Sequence, residues 1–241
     1  MDYVRFQHSL QAEGVRLAES AATGLDTPVP SCPGWTVADL VGHTGSVYRT
    51  ATEQLRTGSR GDPAVAAAPR ADLLAWYSEA LAELRAELAR RDPDDPAGGA
   101  DGSGDDVGFW YRRLAHEAAM HRTDVEMAVG VPRPIDVDLA VDGIDEALRV
   151  LLPIRYDAAG PDAAVGRTIG VHTHQQHWRL TLRRDNVEVS RSPGFTDAAV
   201  AGEPGDLLLY LWGRRPGTVV SRTGDLTVLG AFRRRLALSM V

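Results

Sequence analysis

The chain has a single cysteine, Cys32, among its 241 residues, so no internal disulfide can form and the fold must rest on its apolar core. Such cysteine usage fits a reducing compartment. Cys32 precedes Pro33 and reads as a small loop residue rather than a reactive thiol. No stretch approaches the roughly 20 apolar residues needed to span a bilayer, and the opening MDYVRFQHSL has no apolar signal core. A cytoplasmic protein that does not engage a membrane is expected. No lysine-rich or arginine-rich run stands out, and 26 basic against 33 acidic residues give a formal net charge of −7. That balance argues against an electrostatic nucleic-acid binder. Internal repeats with periods of roughly 20 to 50 residues are absent, which excludes solenoids and propellers.

What is present is ordinary for a soluble globular chain: 44% apolar and 24% charged residues. Domains usually run about 100 to 200 residues, so two are expected. Residues 3–22 have a helical apolar pattern, which the Pro- and Gly-rich TGLDTPVPSCPGW ends as a loop. Thr36 and Asp39 have the spacing of a capping box and open a second helix carrying His43. Residues 70–91 repeat Leu73, Leu74, Tyr77, Leu81, Leu84 and Leu88 at helical steps. The acidic, Gly-rich stretch 92–108 reads as a mobile connection. A fourth helix spans about 109–129 and stops before Gly130, Pro132 and Pro134, and a fifth segment follows at about 138–153. Beyond 155 come short β-type runs, TIGVHTH, HWRLTL and VEVS, then two helices, GDLLLYLWGRR and GDLTVLGAFRRRLALSM. The expectation is an α+β chain of two domains: an antiparallel four-helix bundle over 1–154 and a smaller α+β domain over 155–241.

The segment LAHEAAMHRTDVEMA invites comparison with the zinc-protease signature H-E-x-x-H, but the spacing differs. His116 and His121 are five residues apart and point about 140° away from each other on a helix, so they cannot chelate one ion. Glu117 and His121 are four apart, about 40° from each other and one turn above one another, so they can share a metal. Asp124 falls on the same stripe, as a fourth ligand or, better, as a partner that orients a ligating imidazole. Catalytic zinc sites usually have three protein ligands, and His43, at the edge of the inward stripe of its helix, is the best third donor. On spacing alone, a hydrogen-bonded histidine and a helix-surface Glu–His pair remain open.

The segments VPSCPGWTVADLVGHTGSVYR, HEAAMHRTDVEMAVG and DLAVDGIDEAL resemble the mycothiol-dependent maleylpyruvate isomerase family within the broader DinB-like bundles. The resemblance extends to WRLTL, DAAVAGEPGDLLLYLWGRR and GDLTVL, which look like that family's sterol-carrier-like C-terminal domain. It implies that His43, eight residues after Trp35, and Glu117 and His121 are ligands of a divalent metal, with zinc expected. It also implies mycothiol as the thiol cofactor. Nothing beyond the resemblance specifies mycothiol over another thiol.

On this reading the cation activates a thiol, whose thiolate adds to a small anionic electrophile, giving cis–trans isomerisation or S-transfer. Arg214 is the candidate catalytic cation for a substrate carboxylate, against the simpler role of a helix-end arginine satisfying carbonyls. Arg122 has a similar choice, including a bridge to Asp124 or Glu126. His172 and His174 alternate onto one face of an expected strand near His177 and read as surface or interdomain residues. His116 reads as structural. Competing functions are a metal-dependent hydrolase using activated water and a non-catalytic metal-containing binding module. The expected partners are a small-molecule substrate and a low-molecular-weight thiol.

Overall fold

The computed structural model describes residues 1–58, 68–69, 71–97, 106–154, 164–192 and 194–239, which divide into two compact units, Met1–Arg133 and Pro134–Val241.

The first unit is helical. Helix α1 (Tyr3–Ala21) starts at Asp2, whose carboxylate accepts from the Arg5 N–H, and buries Phe6, Leu10, Gly14, Leu17 and Ala21 at three- and four-residue steps. Helix α2 (Val37–Thr57) opens on the full Thr36–Asp39 capping box and closes on Gly58 at φ 68°, a left-handed conformation that glycine adopts without a Cβ clash. Helix α3 (Leu73–Leu88) buries Tyr77, Leu81, Leu84 and Leu88. Helix α4 (Val107–Ala128), capped by Asp106, ends before Gly130 at φ 81°. Helix α1 packs chiefly on α4, and α2 on α3. The loop before α2 is a tight turn: a bridge joins Pro28 to Thr36, and Val29 N–H donates to the Trp35 carbonyl at 2.9 Å. At the centre of the unit Tyr77 Oη donates to the Gly14 carbonyl at 3.1 Å and meets Tyr48 Oη at 3.4 Å.

In the stretch expected as a mobile connection, residues 98–105 lie outside the described residues, but its two ends are tied together. Val107 N–H donates to the Asp95 carbonyl at 3.0 Å and Gly108 N–H to that of Pro93 at 2.8 Å. Glycine and acidic composition reported the lack of an apolar face and missed these backbone pairings.

The second unit begins with helix α5 (Val137–Glu146), which runs through a π-helical turn, Ala147–Leu151, into the short α6 (Leu152–Ile154). The unit boundary therefore falls after Arg133 rather than after 154. Helix α5 buries Leu139, Ala140, Gly143 and Ile144 and packs on the second unit's α7 (Pro204–Leu211). Amphipathicity shows that a face is covered, not by what.

The sheet has five strands in the order β3-β2-β1-β4-β5. Strands β1 (Thr168–His172), β2 (His177–Leu182) and β3 (Val187–Ser190) form an antiparallel meander; β4 (Ala198–Ala201) lies parallel to β1, and β5 (Ser221–Gly224) antiparallel to β4. Trp178 on β2 is fully buried and donates its indole N–H to Asp145 at 2.7 Å. Helix α8 (Leu226–Ser239) follows β5 and buries Val228, Leu229, Phe232 and Leu236. Among the described residues no helix is long and apolar enough to cross a membrane.

Candidate metal centre

Two helices of the first unit build the site. Helix α2 supplies His43, and α4 supplies Glu117 and His121 one turn apart. His121 Nε2 lies 3.0 Å from Glu117 Oε1, and His43 Nε2 lies 3.6 Å from the same oxygen. The two imidazole rings are 5.3 Å apart and nearly perpendicular. One ligand atom from each residue lies within 4.8 Å of the others, and this is the only such cluster among the described residues. Bonds of about 2.0 to 2.2 Å to a shared zinc ion place ligand atoms roughly 3 to 4 Å apart, so the triad fits a divalent cation with small side-chain adjustments. The donor set of two imidazoles and one carboxylate is that of a zinc site with a position left for an outside ligand. Solvent reaches it: the His43 side chain is 39% exposed, Glu117 19% and His121 12%.

Surrounding groups fix these three. Asp124, fully buried, places Oδ2 3.2 Å from His121 Nδ1, which turns Nε2 toward Glu117. Its other oxygen accepts the Ser31 hydroxyl at 2.6 Å. Arg113 donates to Glu117 Oε2 at 3.1 Å, leaving Oε1 to the histidines. The Trp35 ring packs edge-on against His43 at 5.1 Å.

The charges of the cluster act on one another. Burial alone would raise the Glu117 carboxyl, but His121, His43 and Arg113 outweigh it and hold it well below the usual carboxylate range. Burial alone would lower His121, yet Glu117 and Asp124 reverse this and push it up to about 9. The cluster is thus an ionised carboxylate facing a ring that holds a proton where a metal ion would bind.

Other expected residues settle elsewhere. His116 is buried, its ring edge-on to Phe6 at 5.9 Å. Arg122, fully buried, pairs with Glu13 at 2.6 Å and Glu126 at 2.8 Å and donates to the Arg133 carbonyl at 2.8 Å. It bridges to Glu126 and not to Asp124, because Asp124 is committed to His121 and Ser31. Arg214 belongs to the second unit, where it donates to the Trp212 carbonyl at 2.9 Å and lies 5.5 Å from the centre of that ring. His172 ends β1 opposite His177, while His174 lies beyond the strand, 3.7 Å from Glu203. The strand therefore ends two residues before His174. Cys32 is half-buried in the loop.

Two contributors escaped the sequence reading. Arg113 was within reach of it, lying one helical turn before Glu117 on the same face. Ser31 stands 93 residues from Asp124, and no local pattern connects them.

Comparison with known proteins agrees with this architecture. Residues 8–126 match the mycothiol maleylpyruvate isomerase N-terminal domain, and residues 138–231 match the MDMPI C-terminal domain. Among solved structures, the chain is similar to the mycothiol-dependent maleylpyruvate isomerase at 12% identity and a TM-score of 0.66. It is similar to a histidine-to-alanine mutant of that isomerase at 11% identity and a TM-score of 0.67. In both cases 93% of this chain and 95% of the other are covered. Comparison with curated protein sequences gives no match. With both halves of the chain matched in order by the two domain families, the protein belongs to the mycothiol maleylpyruvate isomerase family.

Proposed function

We propose that this chain is a thiol-dependent isomerase in which His43, Glu117 and His121 hold a divalent cation, zinc by donor type, and mycothiol supplies the thiol. The supporting observation is the convergence of one ligand atom from each residue within 4.8 Å. A cation bound there supplies Lewis-acid lowering of a thiol's pKa, which raises the thiolate fraction near neutral pH.

The chain's own residues do the positioning. Asp124 holds His121 by Nδ1 so that Nε2 faces the centre, and Ser31 holds Asp124. Arg113 occupies Glu117 Oε2, so only one carboxylate oxygen faces the ligand position. Trp35, 37% exposed beside His43, offers an apolar wall at the mouth.

The substrate class is a small cis-enedioic acid such as maleylpyruvate. Thiolate adds to one alkene carbon and the electron pair moves onto the carbonyl conjugated with the other. The resulting single bond rotates, and the pair returns to expel thiolate and leave the trans isomer. No electron or proton is consumed overall. Arg214 is proposed as the guanidinium that pairs with a substrate carboxylate, a bidentate geometry suited to it.

Metal content of the purified protein and the rate of maleylpyruvate isomerisation with and without mycothiol test this reading. Bound zinc, lost in His121→Ala, together with turnover only when thiol is present, is the expected result. Equal isomerisation without thiol would overturn the thiol mechanism.

A further inference from the structure

The second unit carries a cationic groove that the metal reading does not use. It has a volume of about 380 Å³ and is lined by Tyr210 of α7, Arg222 of β5, and Leu226, Leu229, Arg233 and Arg234 of α8, with no acidic residue among the described residues of its wall. In a chain of net charge −7, three arginines therefore share one concavity. Among the described residues none of the three makes an ion pair, whereas Arg149, Arg167, Arg183 and Arg191 of the same unit all do.

The guanidinium groups are seated rather than loose. That of Arg233 lies over the Tyr210 ring, 4.2 Å from its centre, a cation–π contact that holds it in place. The Arg222 head lies against Gly217, where a Cβ would come within 2.9 Å of its central carbon. The Arg234 head folds back toward Gly230, with Nη1 3.7 Å from where a Cβ would stand. The third arginine of the run, Arg235, is instead fully buried. Like charges drawn together repel one another, so the fold gives up stability by gathering three of them with no carboxylate among the described residues of the groove. A bound anion relieves that repulsion, and guanidinium forks match carboxylate and phosphate oxygens in pairs. Beside them Leu226, 58% exposed, and the buried Leu229 give the groove an apolar side.

We propose that this groove binds a small organic polyanion whose oxyanion groups pair with Arg222, Arg233 and Arg234 while its carbon skeleton lies on Leu226 and Leu229. The volume suits a molecule of metabolite size. The groove shares no residue with the metal triad, so its failure and the failure of the proposed reaction are separately visible.

Calorimetric titration of the full chain with inorganic phosphate and, separately, with tricarballylate tests it, using the wild type and the double variant R222Q/R234Q. Both substituted residues are exposed, and melting curves confirm that the variant folds. Anion bound at the metal is common to both proteins, so the difference between them reports the groove. Saturable binding of at least one probe is expected, weakened by raised salt and by about tenfold or more in the double variant. Response to phosphate alone identifies a phosphorylated ligand, and response to tricarballylate alone a polycarboxylate. Absence of binding for both probes, or equal binding by the variant, overturns the proposal. Phosphatidylserine vesicles are titrated in parallel, and binding confined to them does the same, because it would make the groove part of a membrane-facing surface.

Discussion

Removing the Asp124 carboxylate isolates what holds His121 in place. Asp124 is fully buried, with one oxygen 3.2 Å from His121 Nδ1 and the other 2.6 Å from the Ser31 hydroxyl. In Asp124→Ala the ring loses the acceptor that aims Nε2 at the centre, and Ser31 loses its partner. Loss of such an orienting partner typically weakens metal binding about 10- to 100-fold, or about 1.4 to 2.7 kcal/mol. Asp124→Asn keeps the shape and one acceptor oxygen, so the lower end of that range is expected. Ser31→Ala, which disturbs only the support of Asp124, should cost less again. The assay is competition for zinc against a chromophoric chelator on metal-stripped protein, with melting curves to confirm folding. From weakest to tightest binding, the expected order is Asp124→Ala, then Asp124→Asn, then Ser31→Ala. A folded Asp124→Ala protein that binds zinc within about threefold of the wild type would refute the positioning role.

Other substitutions probe the framework. At Gly45 an added Cβ would stand 2.2 Å from the Trp76 ring, so Gly45→Ala should destabilise by about 1 to 3 kcal/mol in urea unfolding; a stabilised variant, as helix propensity alone would give, would show that the ring yields freely. Arg122→Met removes the buried cation between Glu13 and Glu126, which keep only the more exposed Arg16 at 3.7 Å and Arg133 at 3.1 Å, and a loss of about 3 kcal/mol is expected, against which a loss under about 1 kcal/mol would count. The Thr168 backbone N–H and hydroxyl hold the Asp197 carboxyl below its ordinary value. A depressed carboxyl stabilises the fold above the unfolded value, about 4, and the benefit disappears as pH falls through the lower folded value. Asp197→Asn should therefore be less stable than the wild type at neutral pH and converge with it in acid; a constant gap down to low pH would contradict this.

Local physics made much of the chain legible in sequence. Helix α2 begins where the Thr36–Asp39 box places it, and α3 is the leucine stripe at helical spacing, because capping and periodicity depend on residues within a turn or two. The same applies within the site: Glu117, His121 and Asp124 lie on one stripe because the helix repeat puts them there. Strands β4 and β5 left no such mark. The first is AAVA, too small and short to show alternation, and the second, SRTG, is an edge strand exposed along its whole length, so its pairing is fixed by backbone partners distant in sequence.

The sequence by itself determined two candidate ligands a turn apart, a candidate histidine on another helix, and an α+β chain of two parts, since these follow from spacing and from stretches of differing periodicity. Only the tertiary structure decided that His43 comes within 3.6 Å of Glu117, that Ser31 braces Asp124, that α5 belongs to the second unit, and that Arg222 meets Arg233 and Arg234 in one groove. Each of these is an encounter between segments far apart in the chain, settled by how apolar faces bury one another, and no periodicity within a single segment encodes its partner.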